Sequence, residues 1–411
     1  MSDQGNGRSL ERYSIDVPQD VLDDLRTRLR ATRFDADLDN ESGYYGLSTE
    51  YIKPLVEYWA DGFDWRAQER RLNAHNQHRV EIDGTPVHFI YVRGKGPNRL
   101  PVLLHHGWPW TPDFNSKLIG PLTDPAAHGG DPADAFDLIV PSLPGFAWST
   151  PVGRGDLNYW KIADIMHKLM TEVLGYEKYG AIGSDYGALV TSQLGHKYGD
   201  HVVGVHYGGE LVPGFFQSDK YWDVTEGFKI PEGATERFRE DWLYFEATRA
   251  GHVATHMLET QVITHALNDS PVGTLAWLLK RWKEWSDRWG DFDEVFPRDF
   301  ILTQATTYWV TQSIGSSIRM YKNSLRYPWK PEHDRQPQIE PPAGLTYLLG
   351  DAYPPDVRTA EERIASFENG ITRAWLNPIN IKVHEKGGHF VAWENAEAFT
   401  GDIRETFRKL R

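Results

Sequence analysis

The chain has no cysteine among its 411 residues. That excludes disulfides, thiolate nucleophiles and cysteine-ligated zinc or iron–sulfur centres. Long apolar runs are missing too, since no stretch approaches the roughly 20 residues of a membrane-spanning helix. The opening Met1-Ser-Asp-Gln-Gly-Asn-Gly-Arg-Ser-Leu has no hydrophobic signal core and is expected to fray. A soluble, cytoplasmic protein without a membrane anchor is the expectation. Positive charge is in deficit, with 44 Lys and Arg against 58 Asp and Glu, a net of −14. This disfavours a nucleic acid partner, because phosphate binding needs clustered positive charge. Internal repeats and low-complexity tracts are absent as well. What remains is 40% hydrophobic and 25% charged, the make-up of a folded enzyme with a large core. The sequence leaves room for a homo-oligomer.

Two amphipathic segments come first. Val21, Leu22, Leu25 and Leu29 share one face of a helix starting near Pro18, and Ile52, Leu55, Val56 and Trp59 repeat the pattern between Tyr51 and Phe63. They cannot bury both faces alone, so residues 1–78 read as a helical arm packed on something else. From Arg79 the period becomes that of strands, with a hairpin around Asp83-Gly84. Short apolar runs follow at Pro101–His106, Phe136–Pro141, Tyr179–Gly183 and Val202–His206, separated by helix-like segments. Strands alternating with helices predict an α/β fold with a mostly parallel sheet covered on both faces. The rhythm stops near Val212. Residues 213–335 read as a helical lid, and residues 213–330 hold eight of the sixteen tryptophans. Trp282, Trp285 and Trp289 are spaced for one helical face, as packing or as the wall of an apolar cavity. Tyr327–Pro342 carries five prolines and reads as a linker; Leu345–Gly350 and Ile379–His384 supply two more strands and Phe399–Leu410 a closing helix. The core therefore spans 79–212 and 336–411.

Gly183-Ser184-Asp185-Tyr186-Gly187 falls after an apolar strand and before a helix. It has the small-x-nucleophile-x-small shape of a nucleophile elbow, with Asp185 where a Ser often stands. The plain alternative is a βα turn with an N-capping Asp. Gly387-Gly-His389-Phe follows the last strand, the place of the general base in α/β-hydrolase chain order, and His106-Gly-Trp108-Pro leaves an earlier strand as an oxyanion loop would. A carboxylate that displaces a leaving group from a tetrahedral carbon becomes an ester that water can cleave, whereas a Ser would form an inert ether. An Asp elbow therefore points to opening an epoxide or displacing a halide. His389 activates the water, and the backbone N–H groups of Trp108 and Tyr186 face the oxyanion. Gly350-Asp351-Ala-Tyr-Pro-Pro-Asp356 offers two acids to orient His389, Asp351 being closer to the strand end.

On these motifs the chain resembles the microsomal-type epoxide hydrolases, α/β-hydrolases with an added amino-terminal region. The resemblance runs from about residue 14 to the end. It rests further on Asp24-Leu-Arg-Thr-Arg-Leu, Phe63-Asp-Trp-Arg, Ile82-Asp-Gly-Thr-Pro-Val-His-Phe, Pro141-Ser-Leu-Pro-Gly-Phe, Leu267-Asn-Asp-Ser-Pro-Val-Gly and Tyr321-Lys-Asn. It implies conversion of an epoxide and water to a diol without cofactor or metal, with Asp185 as nucleophile and His389 as base. It favours Asp356, after the Tyr-Pro-Pro turn, as relay acid over Asp351. Two lid tyrosines hold the epoxide oxygen in the family. Tyr321 matches one, while counting back from Leu267 puts His252 at the other, a departure with three readings: an imidazole N–H that bonds the oxygen, an imidazolium acid that shifts the pH optimum downward or changes which carbon is attacked, or a cavity wall beside a Tyr321 that works alone. His252-Val-Ala-Thr-His256 lacks the glutamate of a zinc-protease motif. Trp110-Thr111 departs from the pattern after His-Gly-Trp-Pro, and Trp110, Phe146 and Trp148 are expected to contact substrate. A haloalkane dehalogenase is the alternative, although Tyr186 stands where such enzymes carry a halide-binding Trp. A non-catalytic binding protein of the same fold is the other. The tryptophans suggest an aromatic or natural-product epoxide.

Overall fold

The hairpin around Asp83-Gly84 forms as its turn chemistry demands. In the computed structural model, which describes residues 4–5, 8–40, 43–216, 218–225 and 229–411, both turn residues take positive φ, 50° and 70°. That is the geometry of a two-residue turn matched to the twist of its strands. In chain order the strands are β1 (Gln4–Gly5), β2 (Arg8–Ser9), β3 (Arg12–Tyr13), β4 (Gln77–Ile82), β5 (Thr85–Val92) and β6 (Leu100–His105). They continue with β7 (Phe136–Pro141), β8 (Tyr179–Gly183), β9 (Val202–Gly208), β10 (Ile339–Leu348) and β11 (Leu376–His384). Nine of them make one sheet in the order β11-β10-β9-β8-β6-β7-β5-β4-β3. From β11 to β7 the neighbours run parallel, and from β7 to β3 antiparallel. Strand periodicity feeds both faces. On β6, Leu103 enters one hydrophobic cluster while Val102 and Leu104 enter the other. Instead of fraying, β1 and β2 pair with each other and β3 extends the sheet; residues 1–3 and 6–7 of that stretch lie outside the described residues.

The arm helices Gln19–Arg30 and Thr49–Asp61 bury the expected stripes, Leu22, Leu25 and Leu29 on the first and Ile52, Val56 and Trp59 on the second. A third, Trp65–Leu72, has no apolar stripe to betray it. It starts where Asp64 accepts the Ala67 N–H. The arm's partners are helices between β9 and β10. Trp59 Nε1 donates to Thr306 Oγ1 at 2.9 Å, and the hydroxyls of Tyr51 and Tyr58 reach Asp293 and Asp299, each at 2.8 Å.

Between β9 and β10 the described residues form helices and turns but no strand. The helix Pro271–Trp285 carries Trp282 and Trp285 inward, yet ends before Trp289. Ser286 is extended there, and Trp289 is about half exposed, with the guanidinium groups of Arg288 and Arg358 over its ring. The expected three-Trp face is thus a two-Trp face. The proline-rich stretch is shorter than expected as a linker, because β10 already starts at Ile339. Its pairing with β11 is irregular between Ile339 and Pro342, where the prolines remove donors. No helix of the described residues is long and apolar enough to cross a membrane.

Candidate active site

Between β8 and the helix Tyr186–Lys197, Asp185 holds φ 52° and ψ −126°. A non-glycine residue pays roughly 1–3 kcal/mol for such a conformation. The turn closes because its neighbours are small. A Cβ on Gly183 would lie 2.2 Å from the carbonyl oxygen of Gly187, and one on Gly107 would lie 2.5 Å from Asp185 Oδ1. The capping alternative fails here, for the Asp185 side chain makes no cap hydrogen bond. It instead accepts the Trp108 N–H on Oδ1 at 2.8 Å and meets His389 Nε2 through Oδ2 at 3.2 Å. Tyr186 supplies the first N–H of the helix, one residue on from the carboxylate.

His389 is pinned from behind. Its own N–H donates to the carbonyl of Trp285 at 2.8 Å. Glu394 accepts the N–H of Phe390 at 2.8 Å and of Asp287 at 2.6 Å, and Asp287 accepts that of Gly387 at 2.8 Å. Burial pushes Glu394 up to about 7, those backbone donors working the other way. In front, Nδ1 of His389 meets Asp351 Oδ2 at 3.3 Å. Asp356 does not reach the imidazole. It pairs with Arg237, and its N–H donates to Asp241. The preference for Asp356 is thereby corrected to Asp351, because the chain turns at once after β10 and the first acid stays at the strand end. Burial and the nearby Arg249 guanidinium oppose protonation of His389, but the hydrogen bonds to Asp185 and Asp351 prevail and its pKa is raised. Asp351 is partly buried, which opposes its ionisation, yet Arg249 and His389 hold its carboxyl well below the usual range.

Tyr321, on the helix Ile314–Arg326, is fully buried and packs edge-on against Tyr186, with ring centroids 4.6 Å apart. Burial, then the charge of Asp185, raises its pKa well above 10. His252 stacks parallel on Trp108 at 5.4 Å and touches Trp285 at 4.7 Å. Burial, with His256, Arg281 and Arg249 around it, drives its pKa far down. Of the readings open for His252, this disfavours the imidazolium and leaves the neutral imidazole. His256 lies 4.5 Å from Tyr321 and accepts the Trp277 indole N–H at 3.1 Å. Trp110 stacks on Phe114 and presents its edge to His389 at 5.7 Å. Phe146 packs against His106, in the oxyanion loop, at 5.1 Å. Trp148 lines a separate cavity of about 70 Å³ with Ile15, Arg71 and Asp113, in which no residue of the Asp185–His389–Asp351 set takes part.

Sequence reasoning missed Arg249, which donates to Asp351 Oδ1 at 2.5 Å, and the pair Asp287 and Glu394 behind His389. No motif marks them, since each acts from a different element. Among the described residues, no group of three or more His, Asp or Glu is placed to hold a metal ion.

A family model described as "Epoxide hydrolase N terminus" matches residues 10–112, and one described as "alpha/beta hydrolase fold" matches residues 101–207. A Stigmatella aurantiaca protein with a provisional epoxide hydrolase name is 34% identical over 97% of this chain and 85% of its own length. "Epoxide hydrolase 1" of Oryctolagus cuniculus is 28% identical over 96% and 88%. Among solved structures, Aspergillus niger epoxide hydrolase superposes with a TM-score of 0.78 at 23% identity, covering 100% of this chain and 99% of that one. Bombyx mori juvenile hormone epoxide hydrolase gives 0.75 at 22%, covering 98% and 94%. These two likenesses establish the α/β-hydrolase fold.

Proposed function

Because the chain belongs to the epoxide hydrolase family, whose members are hydrolases acting on ether bonds, we propose that it converts an epoxide and water to a vicinal diol through an ester on Asp185. One observation carries the reading. The same carboxylate that sits at the strained turn apex takes an oxyanion-loop N–H on one oxygen and the partly buried imidazole on the other.

The first step joins Asp185 Oδ2 to an epoxide carbon and breaks that carbon's bond to the ring oxygen. Tyr321 gives its hydroxyl proton to the departing alkoxide. A phenol with a raised pKa is a weak acid for solvent but adequate for an alkoxide. His252, held neutral, can donate a hydrogen bond to the same oxygen but has no cationic proton to give. In the resting state His389 faces a carboxylate at each ring nitrogen, which favours the cation. Esterification removes the charge on Asp185, so the imidazole releases its proton, which returns the Tyr321 phenolate to a phenol, and the ring becomes a base. Water then loses a proton to Nε2 and attacks the Asp185 carbonyl carbon. The N–H groups of Trp108 and Tyr186 bind the oxyanion, a contribution of about 10²–10³ in rate per donor in comparable sites. Collapse expels the diol's second oxygen, which takes that proton from His389; Asp185, left as an acid bearing one oxygen from water, then gives its proton to His389 and restores the resting pair. Trp108, Trp110 and Trp285 around the reacting groups support an apolar, aryl-bearing epoxide as substrate.

A single turnover of styrene oxide in heavy-oxygen water tests the route. Label is expected in the Asp185 carboxylate, and Asp185→Asn is expected to abolish turnover. Label found only in the diol would mean that water attacks the epoxide directly.

A further inference from the structure

The lid contributes a charge to this site that the steps above do not use. Arg249 lies in the turn Glu246–Ala250, three residues ahead of His252, with 9% of its surface exposed. Its Nη2 donates to Asp351 Oδ1 at 2.5 Å, beside the Ala352 N–H at 2.7 Å, while Asp351 Oδ2 faces His389. Its guanidinium lies over the Trp285 ring, 4.6 Å from the centroid. The Trp285 indole N–H in turn donates to the carbonyl of Thr248 at 3.0 Å, and its ring packs edge-on to His389 at 5.4 Å. Withdrawing the guanidinium from Asp351 therefore disturbs the docking of the Thr248–Arg249 turn on Trp285.

Asp351 divides one negative charge between the Arg249 guanidinium and the imidazole of His389, whose proton has to move. While Asp185 is a free carboxylate, His389 has a second anion and the competition matters little. Once Asp185 is esterified, Asp351 is the anion left on the imidazole, and Arg249 is its competitor.

We propose that Arg249 is a positioning residue which clamps Asp351 and, by neutralising part of its charge, lets His389 give up its proton once the ester has formed, so that the base is competent only with the lid turn docked. The inference rests on the hydrolase reading through Asp185, His389 and Asp351. The groups that face His389 are Asp185 from the elbow, Asp351 from the loop after β10, and Arg249 through Asp351. Trp110, Trp285 and Phe390 surround the ring without charge. Asp287 and Glu394 hold its loop through backbone N–H groups, and the neutral His252 touches Trp285.

The test is kcat against pH for wild type, Arg249→Met and Arg249→Lys on styrene oxide, with stopped-flow tryptophan fluorescence separating alkylation from ester hydrolysis. Arg249→Met is expected to move the acid limb of kcat upward by about one pH unit, the size of shift one neighbouring charge produces. Ester hydrolysis should slow with it below that limb, while alkylation changes little. Arg249→Lys keeps the charge and should return the limb toward the wild-type position. Arg249→Gln, which keeps a hydrogen bond without charge, replaces the Met variant should that one fail to melt cooperatively. A lower kcat with the limb in place, or a limb displaced as far by Lys as by Met, overturns the proposal. Absence of turnover in the wild type would instead overturn the hydrolase reading.

Discussion

The imidazole of His389 hangs between two carboxylates, Asp185 at one ring nitrogen and Asp351 at the other. Asp351 and Asp356 lie in one short segment, and chain spacing alone cannot rank them. The structure gives Asp351 the imidazole and Asp356 the Arg237 side chain. Asp351→Asn is accordingly expected to lower kcat by about 10²–10⁴, the usual worth of a tuned acid–base group. Asp356→Asn should stay within about threefold of wild type, since an exposed ion pair contributes little. Steady-state kinetics on both variants check this, and equal losses would return the relay role to Asp356. His252 carries a similar lesson. Its identity is legible in the sequence, but its charge state is not, because burial between Trp108 and Trp285 sets it.

Elements matter here through their ends. The elbow is the amino end of the helix Tyr186–Lys197, and the base loop leans on the carboxyl end of the helix Pro271–Trp285. At that second junction the chains come so close that a Cβ on Gly388 would lie 2.4 Å from the Ser286 carbonyl carbon. Gly388→Ala must therefore push His389 away from its two carboxylates. A displacement of about 1 Å costs on the order of 10²-fold in rate when geometry is productive. We expect that loss in ester hydrolysis, followed by stopped flow, with a smaller effect on alkylation, which uses Asp185 and Tyr321 but no base. Unchanged hydrolysis would show that the docking of the loop does not set the base. The two glycines of Gly387-Gly-His389 were visible as a motif; that one of them is a contact with a lid helix was not.

At the scale of the whole chain, the amino-terminal helices brace the helices between β9 and β10, the proposed lid. Trp59 is 2% exposed and donates to Thr306 on the helix Arg298–Val310, whose Gln304 side chain donates to Asp113, which Arg71 of the arm also holds. Trp59→Ala should cost about 3–5 kcal/mol, as for other large buried aromatics. The same change should weaken substrate binding, because the lid helices follow the arm. Chemical denaturation and KM for the same substrate read the two effects; a stability loss with KM unmoved would confine the arm to a structural role. That the arm needed a partner was readable from two amphipathic faces with nothing to bury them. That the partner is the lid was not, because residues about 240 apart meet only in three dimensions.

Local spacing along the chain determined the strands from β4 onward, most helices, the Asp185 elbow and the His389 loop, because each depends on periodicity, turn geometry or a few neighbouring residues. Tertiary packing alone decided that Asp351 meets His389, that Arg249 holds Asp351, and that burial drives the His252 pKa down. Those outcomes depend on distances between elements and on how far each group is withdrawn from water, which no stretch of sequence encodes by itself.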